Sequence, residues 1–451
     1  MAERSETKEQ NAVRDSERGY QVVPADANQS DVPPGYKRTE VGVIPEDWNQ
    51  HAVADLAIVK GGKRLPNGHT LTESATHHPY IRVADMRPGG VKSSDIKYVP
   101  DEAFHTIRNY RIYQSDIFIS VAGTIGIVGE IPSYLDGANL TENADRITNI
   151  NCDRKYLMYW LMSEPIQRAI ESICTVGAQP KLALCRVAGF QIALPSMIEE
   201  QRAIATALSD VDALIDALDR LIAKKRDIKQ ATMQQLLTGE TRLPGFEGEW
   251  EMKRLGDVAE VFNGYAFKSA TYTDSGIYSI ITIANVQDGR MDLSECSMIN
   301  ELPRDLRSHQ RLKIGDLLIS MTGNVGRVCR VNYNDCLLNQ RVGLIVSHSV
   351  SKEFLYQLLK NTSFLIAMTG EAKGGAQGNL SKNDILNYQI ALPADPEEQT
   401  AIATVLSDMD AEIEALERRR DKTKQIKQGM MQELLTGRTR LVEAQATEAE
   451  Q

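Results

Sequence analysis

Few residues in this sequence have the types and spacing that catalysis needs. A loop of the type Asn/Asp-Pro-Pro-Tyr/Phe, which holds a flipped base for methyl transfer, is approached at 31–36, but Val32 and Gly35 break its spacing. His77 and His78 are adjacent, so on a strand they would point to opposite faces and could not share a metal ion. Asp101 follows Pro100 without the acidic-x-Lys partner of a nuclease centre. The sequence therefore predicts neither a catalytic centre nor a metal site.

Motifs for phosphate cradles, disulfides and membrane insertion are also absent. No Gly-x-x-x-x-Gly-Lys-Ser/Thr segment occurs, and the glycines at 123, 126 and 129 are spaced by threes, which favours a tight turn over a dinucleotide site. The six cysteines form no Cys-x-x-Cys pair and no regular ladder. No apolar run reaches the roughly 18 residues that span a bilayer, and the polar N-terminus has no signal-peptide core. A cytoplasmic protein with reduced thiols is expected.

A long internal repeat organises the chain. Residues 190–243 and 388–441 align without a gap at an offset of 198, and 34 of the 54 positions are identical. Upstream the match weakens: residues 115–132 match 315–332, the Gly-Ala-Gln segment at 177 matches that at 375, and the surroundings of Trp48 match those of Trp250. Because the similar parts flank dissimilar ones, the sequence predicts two copies of one module with variable interiors.

Each repeat contains a long helix with a heptad seam. The segment 199–237 has no Gly or Pro, and its apolar residues alternate at spacings of 4 and 3, which is typical of a coiled coil. Each helix could pack on its own module alone, but the matching seams favour antiparallel pairing with each other about a pseudo-two-fold axis. The predicted seam comprises Ile204, Leu208, Val211, Ile215, Leu218, Ile222 and Leu236 in the first helix, and Ile402, Leu406, Met409, Ile413, Leu416, Met430 and Leu434 in the second.

The regions between the helices are predicted to be rich in strands. Short Ile-, Val-, Leu- and Phe-rich runs lie between dense Gly, Pro and Asn turn signals. The predicted fold class is α+β, with two repeated β-rich domains separated by two long antiparallel coiled-coil helices. The expected boundaries are a disordered extension at 1–33, module 1 at 34–185, a helical segment at 186–243, module 2 at 244–387, a second helical segment at 388–441, and an acidic disordered tail at 442–451.

At this point the residues resemble a known family. GYKRTEVGVIPEDW at 35–48, ISVAGTIG and ISMTGNVG, the two Gly-Ala-Gln segments, the IALP…EEQ…IA starts and the two LLTG helix ends are similar to the specificity subunit of type I restriction–modification systems. The resemblance covers 35–441 in that family's order of target-recognition domain, spacer helix, target-recognition domain and spacer helix. The copies also depart from each other, since Pro180-Lys181 faces Gly378-Asn379, and 138–141 (ANLT) faces 338–341 (LNQR) at an offset of 200.

The resemblance implies a non-catalytic subunit with several partners. It would bind a bipartite, asymmetric site on double-stranded DNA, one half per recognition domain, and dock two methyltransferase subunits on its helices. Restriction subunits would join through the complex. S-adenosylmethionine, ATP and Mg²⁺ would belong to those partners and not to this chain. The alternative is a duplicated coiled-coil scaffold that binds only proteins.

DNA readout needs side chains with paired donors or acceptors for base edges, together with cations and close backbone approach for phosphates. The repeated glycines and amides could instead build turns. We favour that interpretation for the glycines, whereas Gln179 and Gln377 could serve either purpose. In module 1 the candidates are Lys63, Arg64, Arg108, Arg111, Gly123, Thr124, Gly126, Asn139, Gln179 and Lys181. In module 2 they are Arg304, Arg307, Arg311, Gly323, Asn324, Gly326, Asn339, Gln340, Arg341, Gln377 and Asn379.

The charge distribution neither supports nor excludes DNA binding. The formal net charge is −10. Residues 1–33 carry 4 basic and 7 acidic side chains, and the last ten residues carry three glutamates, so the acidity is concentrated in the two ends. The body is nearly neutral and lacks a basic domain. Any contact with phosphates must therefore come from a local cluster of cations.

Overall fold

The computed structural model describes residues 32–92, 94–174, 181–372 and 378–441. These residues form two compact units: unit 1 runs up to Ala217 and resumes at Arg420, and unit 2 is Leu218–Arg419. Unit 1 contains module 1, and unit 2 contains module 2. Most of the predicted extension, the predicted acidic tail, Gln179 and Gln377 lie outside the described residues.

Module 1 is built on two four-stranded sheets. In the described part of unit 1 the strands are β1 (Tyr36–Thr39), β2 (Gly42–Pro45), β3 (Trp48–Ala52), β4 (Ile58–Gly61), β5 (Pro79–Ile81), β6 (Met86–Arg87), β7 (Gly90–Val91), β8 (Lys97–Tyr98), β9 (Arg111–Ile112), β10 (Ile117–Ser120), β11 (Val128–Glu130), β12 (Ala138–Leu140), β13 (Ala144–Thr148) and β14 (Gln191–Pro195). The sheet orders are β11-β10-β13-β4 and β8-β5-β12-β9, and β14 pairs with β3.

Module 2 repeats this topology with its own strands. In the described part of unit 2 they are β15 (Trp250–Arg254), β16 (Ala259–Asn263), β17 (Tyr278–Ile281), β18 (Val286–Gln287), β19 (Arg290–Met291), β20 (Met298–Ile299), β21 (Leu317–Ser320), β22 (Val328–Arg330), β23 (Cys336–Leu338), β24 (Val342–Ser347) and β25 (Gln389–Pro393). The orders β16-β24-β21-β22 and β20-β17-β23 correspond to the two sheets of module 1, and β15 pairs with β25 as β3 pairs with β14.

The helices are mostly short, apart from two of 39 residues each. The predicted α+β class with two repeated modules is confirmed. In chain order the helices are α1 (Val53–Leu56), α2 (Asp101–Ile107), α3 (Arg154–Leu161), α4 (Glu164–Cys174), α5 (Leu184–Ala188), α6 (Ile198–Leu236), α7 (Lys352–Leu359), α8 (Thr362–Glu371), α9 (Lys382–Leu386) and α10 (Pro396–Leu434).

The central strand of each module explains the continuous apolar runs in the sequence. All four residues of β10 are buried. Ile117 and Ile119 belong to one core, and Phe118, pointing to the other face, belongs to a second core. In β21, Leu317 and Ile319 likewise belong to one core and Leu318 to another. Both faces are covered, so these strands lack the polar alternation of a half-exposed sheet.

Within each unit α6 and α10 pack antiparallel, so that the start of one helix lies beside the end of the other. In unit 1, Ile204 at the start of α6 shares a core with Leu434 at the end of α10. In unit 2, Leu236 at the end of α6 shares a core with Ile402 at the start of α10. The antiparallel pairing expected from the repeat is therefore present in both units. The predicted seam residues are buried, except that Val211, Met409, Leu416 and Met430 are partly exposed.

Between the apolar residues of the seam lie polar positions, and within each unit one lysine at such a position forms an ion pair with the other helix. Lys229 is 6% exposed, and its Nζ lies 2.5 Å from Asp410 Oδ1. In unit 1 the equivalent pair joins Lys427 Nζ to Asp212 Oδ1 at 2.7 Å. Burial, with Lys360 nearby, lowers the pKa of Lys229 to about 8. Since a buried lysine needs a partner, a shift in helix register would leave charges uncompensated.

Candidate nucleic-acid interface

A tight glycine turn joins β10 to the edge strand β11 in module 1, and β21 to the edge strand β22 in module 2. Gly123 and Gly126 have φ values of 76° and 86°, which favour glycine. A Cβ on Gly126 would lie 2.8 Å from Gln167 Oε1 of α4, and one on Gly326 would lie 2.8 Å from Met368 Cβ of α8. The second glycine of each turn therefore packs closely against a helix, where a side chain would have to displace a neighbour. Between the glycines, the residues at 124 and 324 are exposed.

In module 2 two further loops meet the loop that contains this turn. The hydroxyl of Thr322 donates to Asn379 Oδ1 at 2.8 Å. Arg341, which precedes β24, places Nη1 3.5 Å from Thr322 Oγ1. Asn324 and Gln340 are exposed nearby along the same two loops. We call Asn324, Gln340, Arg341 and Asn379 the loop surface of module 2; all four were predicted from sequence.

Module 1 brings together the corresponding loops. Leu182 N donates to Val121 O at 2.9 Å, which places the exposed Lys181 next to the glycine turn. Asn143 O accepts hydrogen bonds from the N–H groups of Val121 and Ala122. The loop surface of module 1 is Thr124, Glu142, Asn143 and Lys181. Arg64 borders it, with Nε 2.7 Å from Glu142 Oε1.

The strand register corrects one equivalence assumed from the sequence. Thr141 N donates to Ile81 O, and Asn339 N donates to Ile281 O. Thr141 is thus the counterpart of Asn339, whereas the sequence alignment at an offset of 200 had paired Asn139 with it. The two modules differ by two residues in the preceding loop, and the low identity there hides the gap.

Asn139 is consequently a poor candidate for reading bases. It is 1% exposed, and its Nδ2 donates to Ile107 O at 2.8 Å. Its counterpart is the buried Leu337 of β23. The side chain therefore stabilises the interior of module 1, and the loop surface does not display it.

The corrected register shows which side chains occupy equivalent places on the two loop surfaces. Thr124 corresponds to Asn324, Glu142 to Gln340, Asn143 to Arg341 and Lys181 to Asn379. One backbone scaffold therefore carries different donor and acceptor groups at each of the four places. Two modules that read different base sequences require this arrangement.

The remaining predicted cations lie on the two modules at varying exposure. Lys63, Arg108, Arg304, Arg307 and Arg311 are exposed, whereas Arg111 is partly buried. Arg311 lies 3.7 Å from Asp335, and its guanidinium lies over the ring of Tyr278. Arg307 begins a short turn in which its own N–H donates to Gln310 Oε1.

A buried carboxyl beneath the first loop surface was missed by the sequence analysis. Asp145 of β13 is 3% exposed, and its Oδ2 has no hydrogen-bond donor. Burial raises its pKa to about 6, although the positive charge of Lys181 acts in the opposite direction. The register places Gly343 at the same position in module 2. The sequence alone does not distinguish a buried acidic residue in a strand from an exposed one.

The described residues contain no cluster of three His, Cys, Asp or Glu side chains suited to a metal ion. Burial raises the pKa of the Cys329 and Cys336 thiols to about 12, so neither is poised as a nucleophile. Among the helices in the described ranges, none is long and apolar enough to cross a membrane.

Comparison with known protein families shows to which family this two-module chain belongs. The model of the type I restriction modification DNA specificity domain matches twice, at residues 45–225 and 247–428. The chain belongs to this family. Each of the two matches takes in one recognition module and most of the long helix that follows it.

Relatives of this specificity family match along most of the chain. The putative type I restriction enzyme MjaX specificity subunit of Methanocaldococcus jannaschii is 26% identical over 90% of this chain and 97% of its own length. The MjaIX specificity subunit of the same organism is 23% identical, over 80% and 86%.

Solved structures agree in fold with this assignment. The crystal structure of the type I restriction–modification S subunit from M. genitalium has a TM-score of 0.53 and 16% identity, covering 86% of this chain and 96% of that one. A chain from a study of complex assembly and conformational transition of the type I system has a TM-score of 0.51 and 19% identity, covering 88% and 99%. The protein is thus a DNA specificity subunit with two recognition domains.

Proposed function

We propose that each module reads one half of a bipartite DNA site through its own loop surface. The observation that carries this proposal is the pair of loop surfaces. They have the same backbone arrangement but differ in the side chain at all four equivalent positions. Arg341 offers the paired donors that suit guanine, and Asn143 offers the donor and acceptor that suit adenine. The glycine turn beside each loop surface provides exposed backbone for phosphate contact.

The long helices supply the docking surface for methyltransferase subunits in this proposal. In unit 2, Leu221 and Ile228 are 39% and 42% exposed and lie seven residues apart, on one side of α6. In unit 1, Leu214 of α6 and Ile426 of α10 are 41% and 49% exposed. Apolar side chains exposed on a helix are suited to burial against partner helices.

The chemistry of the complex would then lie outside this chain. Two methyltransferase subunits would bring S-adenosylmethionine, and restriction subunits would bring ATP and Mg²⁺. The present chain would contribute recognition alone, in the cytoplasm. Purified chain without partners should transfer no methyl group to DNA.

Mapping methylated adenines tests the proposed function. The host strain should carry a motif of two specified halves separated by unspecified bases, and that motif should vanish when the coding sequence is deleted. Complementation with the intact chain should restore it. Retention of every methylated motif in the deletion strain would contradict the proposal and favour the protein-binding scaffold.

A further inference from the structure

Five cations of module 1 lie on segments that contact one another, and none of them has an acidic partner among the described residues. We call Lys60, Lys63, Arg108, Arg111 and Arg146 the basic cluster. Arg146 of β13 lies directly opposite Lys60 of β4, so their side chains share one face of the sheet. Arg146 Nη2 donates to Asn109 O at 3.2 Å, next to Arg108. Lys63 Nζ lies 5.7 Å from the ring centre of Tyr110, which precedes Arg111.

The charges of this cluster are uncompensated within the described part of the chain. None of the five side chains has an ion pair there, and the nearby Glu142 is already paired with Arg64. The Nε atoms of Arg111 and Arg146 are buried without an acceptor. Unpaired buried donors and like charges on adjacent strands both lower stability. The cluster is therefore unfavourable for folding unless an anion neutralises it.

The same face of module 2 is apolar at the strand pair. Leu344 of β24 lies opposite Phe262 and Leu318, as Arg146 lies opposite Lys60 and Phe118. Leu344 is 4% exposed, and Phe262 packs against the same core. The fold thus accepts an apolar pair at this place, so the Lys60–Arg146 pair is not required by the architecture.

The counterpart of Lys63 is also uncharged in module 2. Lys63 N donates to Leu140 O, and Tyr265 N donates to Leu338 O, each at 2.8 Å. Tyr265 therefore stands where module 1 has a lysine, and its hydroxyl donates to Asp305 Oδ1. Arg311 does keep the charge of Arg111, since it lies opposite Leu337 as Arg111 lies opposite Asn139, but it is 3.7 Å from Asp335. Module 2 therefore lacks cations at the counterparts of Lys60, Lys63 and Arg146.

We propose that the basic cluster of module 1 is a phosphate-binding site for the backbone of duplex DNA. This inference rests on the proposed function, and it adds an anchoring site that is separate from base reading. Cations that neutralise phosphates release counterions, which makes binding salt-dependent but independent of sequence. Module 1 therefore holds DNA at this place through charge, whereas module 2 has no counterpart of the Lys60–Arg146 pair.

The test grafts the apolar pair of module 2 onto module 1. In the full chain within its methyltransferase complex, Lys60→Phe with Arg146→Leu should raise the melting temperature. The slope of log K against log salt for specific duplex DNA should become shallower by about 2, because each phosphate that a cation neutralises contributes about 0.9 to that slope. The methylation motif should stay unchanged. A lower melting temperature together with an unchanged slope would show that the pair is structural and would overturn the proposal.

A second variant avoids any dependence on repacking. Lys60→Gln, Lys63→Gln and Arg108→Gln alter exposed side chains only, and together they should make the slope shallower by about 2–3. The matched control removes three exposed charges elsewhere on unit 1, with Lys92→Gln, Arg168→Gln and Arg202→Gln, and should leave the slope within about 1 of its original value. An equal change of slope in both variants would contradict a phosphate-binding role for the basic cluster. Absence of sequence-specific binding by the unaltered complex would instead refute the proposed function.

Discussion

Replacing Arg440 by alanine is expected to lower the free energy of unfolding by about 3–5 kcal/mol, because it leaves a buried carboxylate without its partner. Arg440 Nη2 lies 2.8 Å from Glu200 Oε2 and 2.8 Å from Asp47 Oδ2. Glu200 is 1% exposed, and its remaining donor is Trp48 Nε1 at 3.2 Å. Chemical denaturation of the variant measures the decrease.

Unit 2 offers a matched variant for this experiment. Arg242 Nη2 lies 2.6 Å from Oε2 of Glu398, which is also 1% exposed, and its guanidinium lies over Trp250. Arg242→Ala should therefore give a similar decrease. Arg438→Ala, whose Nη1 lies 3.9 Å from Glu433 Oε1, should change stability by less than about 1 kcal/mol. A decrease of under about 1 kcal/mol for Arg440→Ala would show that Glu200 is adequately solvated or paired without it.

The substitution Asp145→Asn should stabilise the protein by about 2–3 kcal/mol at pH 8 but by less than about 1 kcal/mol at pH 4. Burial raises the folded-state pKa of Asp145 from 3.8 to about 6. The folded state therefore favours the protonated carboxyl. Between pH 3.8 and about 6 the unfolded chain ionises this carboxyl while the folded chain keeps it protonated, so the folded state loses stability as pH rises. Above about pH 6 the loss is constant. The amide variant has no charge to bury, so its advantage should appear across that window.

Asp116→Asn is the control for this pH series. Asp116 is 1% exposed, but its Oδ2 accepts a hydrogen bond from Tyr113 N at 3.0 Å. Removing that charged acceptor should not stabilise the protein at any pH. Denaturation of both variants from pH 4 to pH 8 separates the two cases. A pH-independent effect of Asp145→Asn would contradict burial of an ionised carboxyl.

The helical half of the fold could be predicted from sequence because its signals are local. The heptad seam indicated α6 and α10 to within one residue at the start of α6, and the antiparallel packing of Ile204 against the end of α10 followed from the repeat. What the pattern could not give was the role of the polar seam residues. Lys229 and Lys427 turned out to join the two helices through aspartates.

The candidate site was predictable only where both copies keep recognisable turns. The glycine turns and the segments around Lys181 and Asn379 were found in this way. The basic cluster was not, because Lys60 and Arg146 come from strands far apart in the chain and meet only through β-sheet register. Asn139 was misassigned for the same reason, since a two-residue gap in a variable loop has no sequence marker.

Exchange of one module tests the central claim most directly. Replacing residues 244–387 with the equivalent module of a relative, followed by mapping of methylated adenines, reports on both half-sites at once. One half of the motif should change to that of the donor while the other half is retained. An unchanged motif with methylation intact, or a change in both halves together, would contradict one half-site per module.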